Sequence, residues 1–166
     1  MVQTFSVLIL LVFSINLWAA GDAAKMNTFI DQLMKKMTLE EKVGQLVQYS
    51  GDAAVTGSSV RDDFREEIKK GRVGSMLNVV TPESTNGIQK LVLENTRLKI
   101  PLLFGYDVIH GHRTIFPIPL GEAATWNLPL IEKSARIAAT EAAADGLHWT
   151  FAPMLDIARD PRWGRV

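Results

Sequence analysis

The 166-residue chain contains no cysteine, which excludes disulfides, thiolate-bound metals and cysteine nucleophiles together. The absence leaves the compartment open, because many exported proteins of this size fold without disulfides. There is no excess of one charge either: 18 Lys plus Arg face 18 Asp plus Glu. A balanced chain gives nucleic acid or an anionic membrane nothing to steer by, and no basic block interleaved with aromatics is present. Internal repeats, low-complexity tracts and a Gly-rich phosphate loop are all missing. What remains is the make-up of a globular protein, 47% hydrophobic and 22% charged. The length suits one domain with a true core and is too short for two comfortable ones.

Charge is also absent from residues 1–20, where "FSVLILLVFSINLW" is almost wholly apolar and is followed by Ala19, Ala20 and Gly21. An apolar helix followed by small residues is the layout of a secretory signal, although no Lys or Arg precedes the run. A membrane anchor needs roughly 20 apolar residues, more than this run supplies. A buried core helix is the other alternative. The expectation is a signal peptide over 1–20, cleaved near 19–24, and a protein that is secreted or periplasmic with no membrane association afterwards.

The rest alternates. Ile30, Leu33, Met34 and Met37 make one apolar stripe, read as core packing. Thr38 and Glu41 form a capping box for a second helix, with Leu39, Val43, Leu46 and Val47 on its buried side. Val60, Phe64 and Ile68 repeat the pattern in a charged helix that Gly71 ends. Residues 73–80 read as a buried strand, and a helix follows with Ile88, Leu91, Val92 and Leu98 inward. "KIPLLFGYD" is a second strand; Asn127 and Pro129 open a helix that stops at Gly146; "LHWTFAPMLDIARD" is a third strand. Helices alternating with short apolar strands predict an α/β protein with a parallel sheet. Polar residues cluster after strand ends and no phosphate loop is present, which favours an incomplete TIM-like (β/α) barrel, about three of eight strands, over a nucleotide-binding fold.

Two loops carry the chemistry. In "FGYDVIHGHR", Asp107 follows a strand end, where an ionised carboxylate could hold two neighbouring hydroxyls; the bland alternative is a turn aspartate bonded to its own backbone. His110 and His112 make an isolated H-x-H with no third ligand nearby, so no metal site is expected. His148 begins a strand and is expected to satisfy a local hydrogen bond. In "DIARDPRWGR", Asp156, Arg159, Asp160, Arg162 and Arg165 fall within ten residues, and Trp163 braces the turn or stacks on a sugar. For Arg159, Asp160 and Arg165 an Asp–Arg network that staples the loop is the better reading. Nothing fixes a separation between Asp107 and Asp156, so they are not assigned as an acid and nucleophile pair.

"MTLEEKVGQL", "VGSMLNVV", "IPLLFGYDVIHGHRTIFPIPLG" and "APMLDIARDPRWGR" together resemble glycoside hydrolase family 3, in particular its periplasmic β-glucosidases, over residues 26–166. The resemblance implies a TIM-like barrel over 25–166. It also implies removal of non-reducing-end β-D-glucosyl or xylosyl units from oligosaccharides or glycosides with retention, and no cofactor. Asp107 and Arg162 match residues that grip the terminal sugar; His110 matches a position expected to be structural. The family's nucleophile is an aspartate before tryptophan, a Lys-His pair also binds the sugar, and the general acid lies in a second domain. The chain has neither dipeptide, and it stops at Val166 where the family motif continues. The expectation is the truncated N-terminal part of a larger enzyme, with no catalytic residue in this chain, inactive alone and partnered by its missing remainder. A non-catalytic carbohydrate-binding α/β module is the alternative.

Overall fold

The computed structural model describes residues 22–51, 63–154, 159, 160 and 162. The leader-like segment, Val60, Asp156, Trp163 and Arg165 lie outside them. The chain divides into two compact units, one up to Lys42 and one from Val43 onward.

In the first unit a helix, α1, spans residues 22–36. The capping box behind it forms as expected: Thr38 N–H donates to Glu41 Oε2 at 2.8 Å, and Glu41 N–H donates to Thr38 Oγ1 at 3.2 Å. It opens α2, Leu39–Gly44. Two expectations fail here. Ile30 and Met34 are exposed, so the methionine stripe is not core, and only Met37 is buried. Leu39, Val43 and Leu46 are exposed too, and α2 ends at Gly44 before the predicted apolar face is complete. The helix ends at a close backbone crossing. A Cβ on Gly44 would sit 2.5 Å from Gly71 O, and one on Gly74 would sit 2.2 Å from Gln45 O. The chain leaves the helix there and enters a strand.

That strand, β1 (Gln48–Ser50), is the one the apolar pattern misses. It is followed by α3 (Phe64–Lys69), β2 (Ser75–Leu77), α4 (Pro82–Asn95), β3 (Leu103–Tyr106), α5 (Pro119–Ala123), α6 (Leu128–Ala144) and β4 (Trp149–Thr150). Among the described residues the sheet therefore has four strands where about three were expected, all parallel and in the order β1-β2-β3-β4. A doubly wound sheet reverses its strand order at a switch point. This one does not, and it is the uninterrupted, unclosed portion of a barrel-like β/α array.

The helices cover one face. Met76 and Phe104 are fully buried against Phe64 and Ile68 of α3, Ile88 and Val92 of α4, and Ala138 and Ala142 of α6. Leu103 and Trp149, which alternate with them, are about half exposed on the other face. Asparagine and threonine caps start the long helices: Asn127 Oδ1 accepts Leu130 N–H at 3.1 Å and Thr81 Oγ1 accepts Ser84 N–H at 3.2 Å. Gly71 and Gly146 end α3 and α6 with φ of 73° and 82°.

Two glycines separate backbone crossing from simple helix propensity. Gly87 lies inside α4, and a Cβ added there would have no other atom within 4 Å. Gly87→Ala should stabilise the protein by about 0.5–1 kcal/mol, and Gly74→Ala should destabilise it by more than that gain. Urea denaturation followed by circular dichroism measures both, and equal effects would contradict the crossing at Gln45.

Candidate sugar-binding rim

Parallel pairing places Ser50, Leu77, Gly105 and Trp149 side by side, so the chain leaves every strand at the same edge. In barrels that edge is where sites are built. Asp107 comes one residue after β3, is exposed, and makes no hydrogen bond or ion pair among the described residues. The chain turns sharply on it, since Val108 N–H donates to Tyr106 O at 3.0 Å. Nearby on the same edge, Asn78 Nδ2 donates to Ser50 Oγ at 3.1 Å, both side chains buried. Asn78 has φ of 61°, a conformation asparagine tolerates better than most residues.

Arg162 does not point its fork at a free site. Its Nε donates to Asp160 Oδ1 at 2.8 Å, its Nη2 to Asp160 Oδ2 at 2.6 Å, and its main-chain N–H to Oδ1 at 2.9 Å. The pair is solvent-facing and holds Asp160 below the usual carboxylate range. This is the stapled loop expected for Asp160, and Arg162 is part of it. Arg159 is exposed.

The histidines are structural supports. His148 Nδ1 accepts Phe104 N–H at 3.2 Å, the local bond expected of it, and its ring stacks on Phe104. His110 Nδ1 lies 3.0 Å from Phe116 O, and Phe116 N–H returns to His110 O at 2.8 Å. His112 Nε2 lies 2.6 Å from Asp145 Oδ2. The two rings of the H-x-H therefore serve different partners.

Sequence reading missed the acids that hold this loop. Asp145, at the end of α6, takes Arg113 Nε at 3.0 Å and Nη2 at 2.5 Å as well as His112. Glu141, one turn earlier, accepts the N–H groups of Arg113 and Thr114 at 2.9 and 2.8 Å and the Thr114 hydroxyl at 2.6 Å. Gly111, with φ of 112°, lets the loop close on itself, for a Cβ there would meet Thr114 O at 2.0 Å. The hint was present in sequence: two acids in the last turn of a helix oppose its dipole, so they need cations or donors from elsewhere.

Residues 38–166 match the Glycosyl hydrolase family 3 N terminal domain. The chain belongs to glycoside hydrolase family 3. It is 48% identical over 140 residues to a periplasmic beta-glucosidase of Salmonella typhimurium, covering 84% of this chain and 18% of that protein. It is 32% identical over 177 residues to a lysosomal beta glucosidase of Dictyostelium discoideum, covering 92% and 21%. The crystal structure of a beta-glucosidase from Listeria innocua in complex with isofagomine superposes with a TM-score of 0.71 at 41% identity, over 83% of this chain and 19% of that one. The chain thus spans about a fifth of the length of these relatives. Among the described residues no helix is long and apolar enough to cross a membrane.

The loop clamp should be acid-labile. The Arg113 guanidinium, against the opposing effect of burial and with His112 assisting, holds Asp145 below its ordinary value. The Thr114 hydroxyl and amide do the same for Glu141, again against burial. Carboxylates depressed in the folded state bind protons more readily when unfolded, so stability rises with pH through their titration. The contribution is complete above about pH 4.5 and is lost as pH falls through the lower folded-state values. Melting temperatures between about pH 3 and 7 should drop on acidification in the wild type and more shallowly in Asp145→Asn, which starts lower. Parallel curves would show that Asp145 is not part of the acid response.

Proposed function

We propose that this chain forms the sugar-gripping part of an exported family 3 β-glucosidase barrel, with Asp107 and Arg162 as ligands of the non-reducing-end glucosyl or xylosyl unit. The observation that carries the reading is Asp107 at the edge where parallel strands end, on a fold shared at 41% identity with a β-glucosidase that binds isofagomine. A carboxylate whose oxygens are free can accept hydroxyls at both. Arg162 would join it by exchanging its exposed Asp160 contact for the sugar, an exchange of small cost because solvent-facing ion pairs contribute little. Export is supported by the signal-like leader and by the periplasmic names of the Salmonella relative and of a Dickeya chrysanthemi beta-glucosidase/beta-xylosidase.

Hydrolysis with retention takes two carboxyl groups about 5–5.5 Å apart, one as nucleophile and one as acid and then base. The motifs expected to supply them are not among these 166 residues. On this reading the chain binds sugar but does not turn it over, and its partner is polypeptide carrying the rest of the barrel. A groove of about 720 Å³ lies between α6, β4 and the β3–α5 loop, lined by residues such as Phe116, Ala135, Ala139 and Leu147.

The 166-residue chain should release no p-nitrophenol from p-nitrophenyl β-glucoside. Titration with D-glucose should shift the amide resonances of residues 107 and 108, and Asp107→Ala should weaken that response about ten-fold or more, as expected for losing charge-assisted bonds. Protein-dependent hydrolysis abolished by Asp107→Ala would overturn the inactivity. A glucose response unaltered in that variant would remove Asp107 from the site.

A further inference from the structure

Asp145 breaks a local rule. A carboxylate at the C-terminal end of a 17-residue helix meets the negative pole of the helix dipole, and this one is also buried. Such a charge persists only where fixed donors hold it, and residues that break local rules with compensation elsewhere are where function is sought. Here the compensation comes from the β3–α5 loop, through His112 and Arg113.

The two donors differ in kind. Arg113 has a side chain 63% exposed, so its contact competes with water. His112 and Asp145 have side chains only 6% and 5% exposed, and the 2.6 Å bond between them is shielded. The imidazole meets the ring of Tyr106 edge-on, with centroids 5.8 Å apart at 83°. Tyr106 supplies the carbonyl that closes the turn on Asp107. Asp145 also lies against α4, where the Thr85 hydroxyl is 3.3 Å from its main-chain oxygen and shares its proton with the nearer Thr81 and Pro82 carbonyls. His112 also keeps a buried Nδ1 with no hydrogen-bond partner among the described residues.

We propose that the buried His112–Asp145 pair is the positioning element of the β3–α5 loop, fixing through Tyr106 the backbone turn that presents Asp107. Its meaning for sugar binding rests on Asp107 being a ligand; the brace itself stands on geometry alone. Neither His112 nor Asp145 touches the sugar.

Amide hydrogen exchange on the 166-residue chain, read residue by residue, tests it. His112→Phe keeps a ring beside Tyr106 and removes the donor to Asp145. Exchange at Val108 and Thr114 should accelerate about ten-fold or more, while Met76 and Phe104 in the sheet keep wild-type protection, as expected for local opening. His112→Gln, which returns an N–H near the Nε2 position, should restore Val108. Asp145→Asn, which weakens the pair from the other side, carries the same expectation should the Phe variant not fold. Unchanged exchange at Val108, or equal acceleration at Val108, Met76 and Phe104, overturns the proposal. D-glucose titration of the same variants separates the two readings. Weakened binding in His112→Phe with recovery in His112→Gln supports both, whereas the expected exchange pattern in a chain that never binds glucose upholds the brace and removes the sugar site.

Discussion

Parallel pairing that sets Ser50, Leu77, Gly105 and Trp149 abreast is the constraint from which the site follows. Each strand is short, two to four residues, so the sheet has little hydrogen bonding in reserve. Its persistence depends on the helices that cover one face, with Met76 and Phe104 as the residues they close on. Because every crossover returns the chain in the same direction, the loops that leave the strands share one edge. Residues far apart in sequence then become neighbours without any one loop having to reach far.

Local signals in the sequence were legible wherever one turn of chain determines the outcome. The Thr38–Glu41 box, the Asn127 cap and the stop at Gly146 each involve bonds within four residues, and all form as their residue types require. β1 was hidden because Leu46 and Val47 extend the helical spacing of Leu39 and Val43, and periodicity carries no mark for where a helix must stop. The stop comes from Gly71 and Arg72 passing against Gly44, a contact distant in sequence that no local window reveals. The methionine stripe failed for a related reason. Apolar spacing identifies the face of α1 that could be buried, not what covers it, and Ile30 and Met34 remain exposed.

The site divides in the same way. The position of Asp107, exposed just after β3, could be read because strand ends are readable and the family motif runs through it. Asp145 and Glu141 could not, since their partners lie 27 to 33 residues upstream, in a loop with no regular pattern. In isolation they look like the solvated acids of a surface helix. Only their place in the last turn of α6, where Lys or Arg would complement the dipole, marks them as engaged elsewhere. Arg162 shows the opposite limit: its motif is conspicuous, yet the fork is already occupied by an aspartate two residues away.

A rim residue that holds hydroxyls needs a different environment from one that moves protons. A proton-transfer carboxyl is tuned by burial or by a neighbouring like charge. A hydroxyl ligand needs open oxygens on a backbone that does not wander, since misplacement of even an ångström erodes the interaction. Asp107 has the second combination: an exposed side chain on a turn backed by Tyr106, with the buried His112–Asp145 contact behind it. Burial thus operates one layer back from Asp107. The arrangement leaves Asp107 accessible and still fixed, which a fully buried or a freely looping aspartate could not combine.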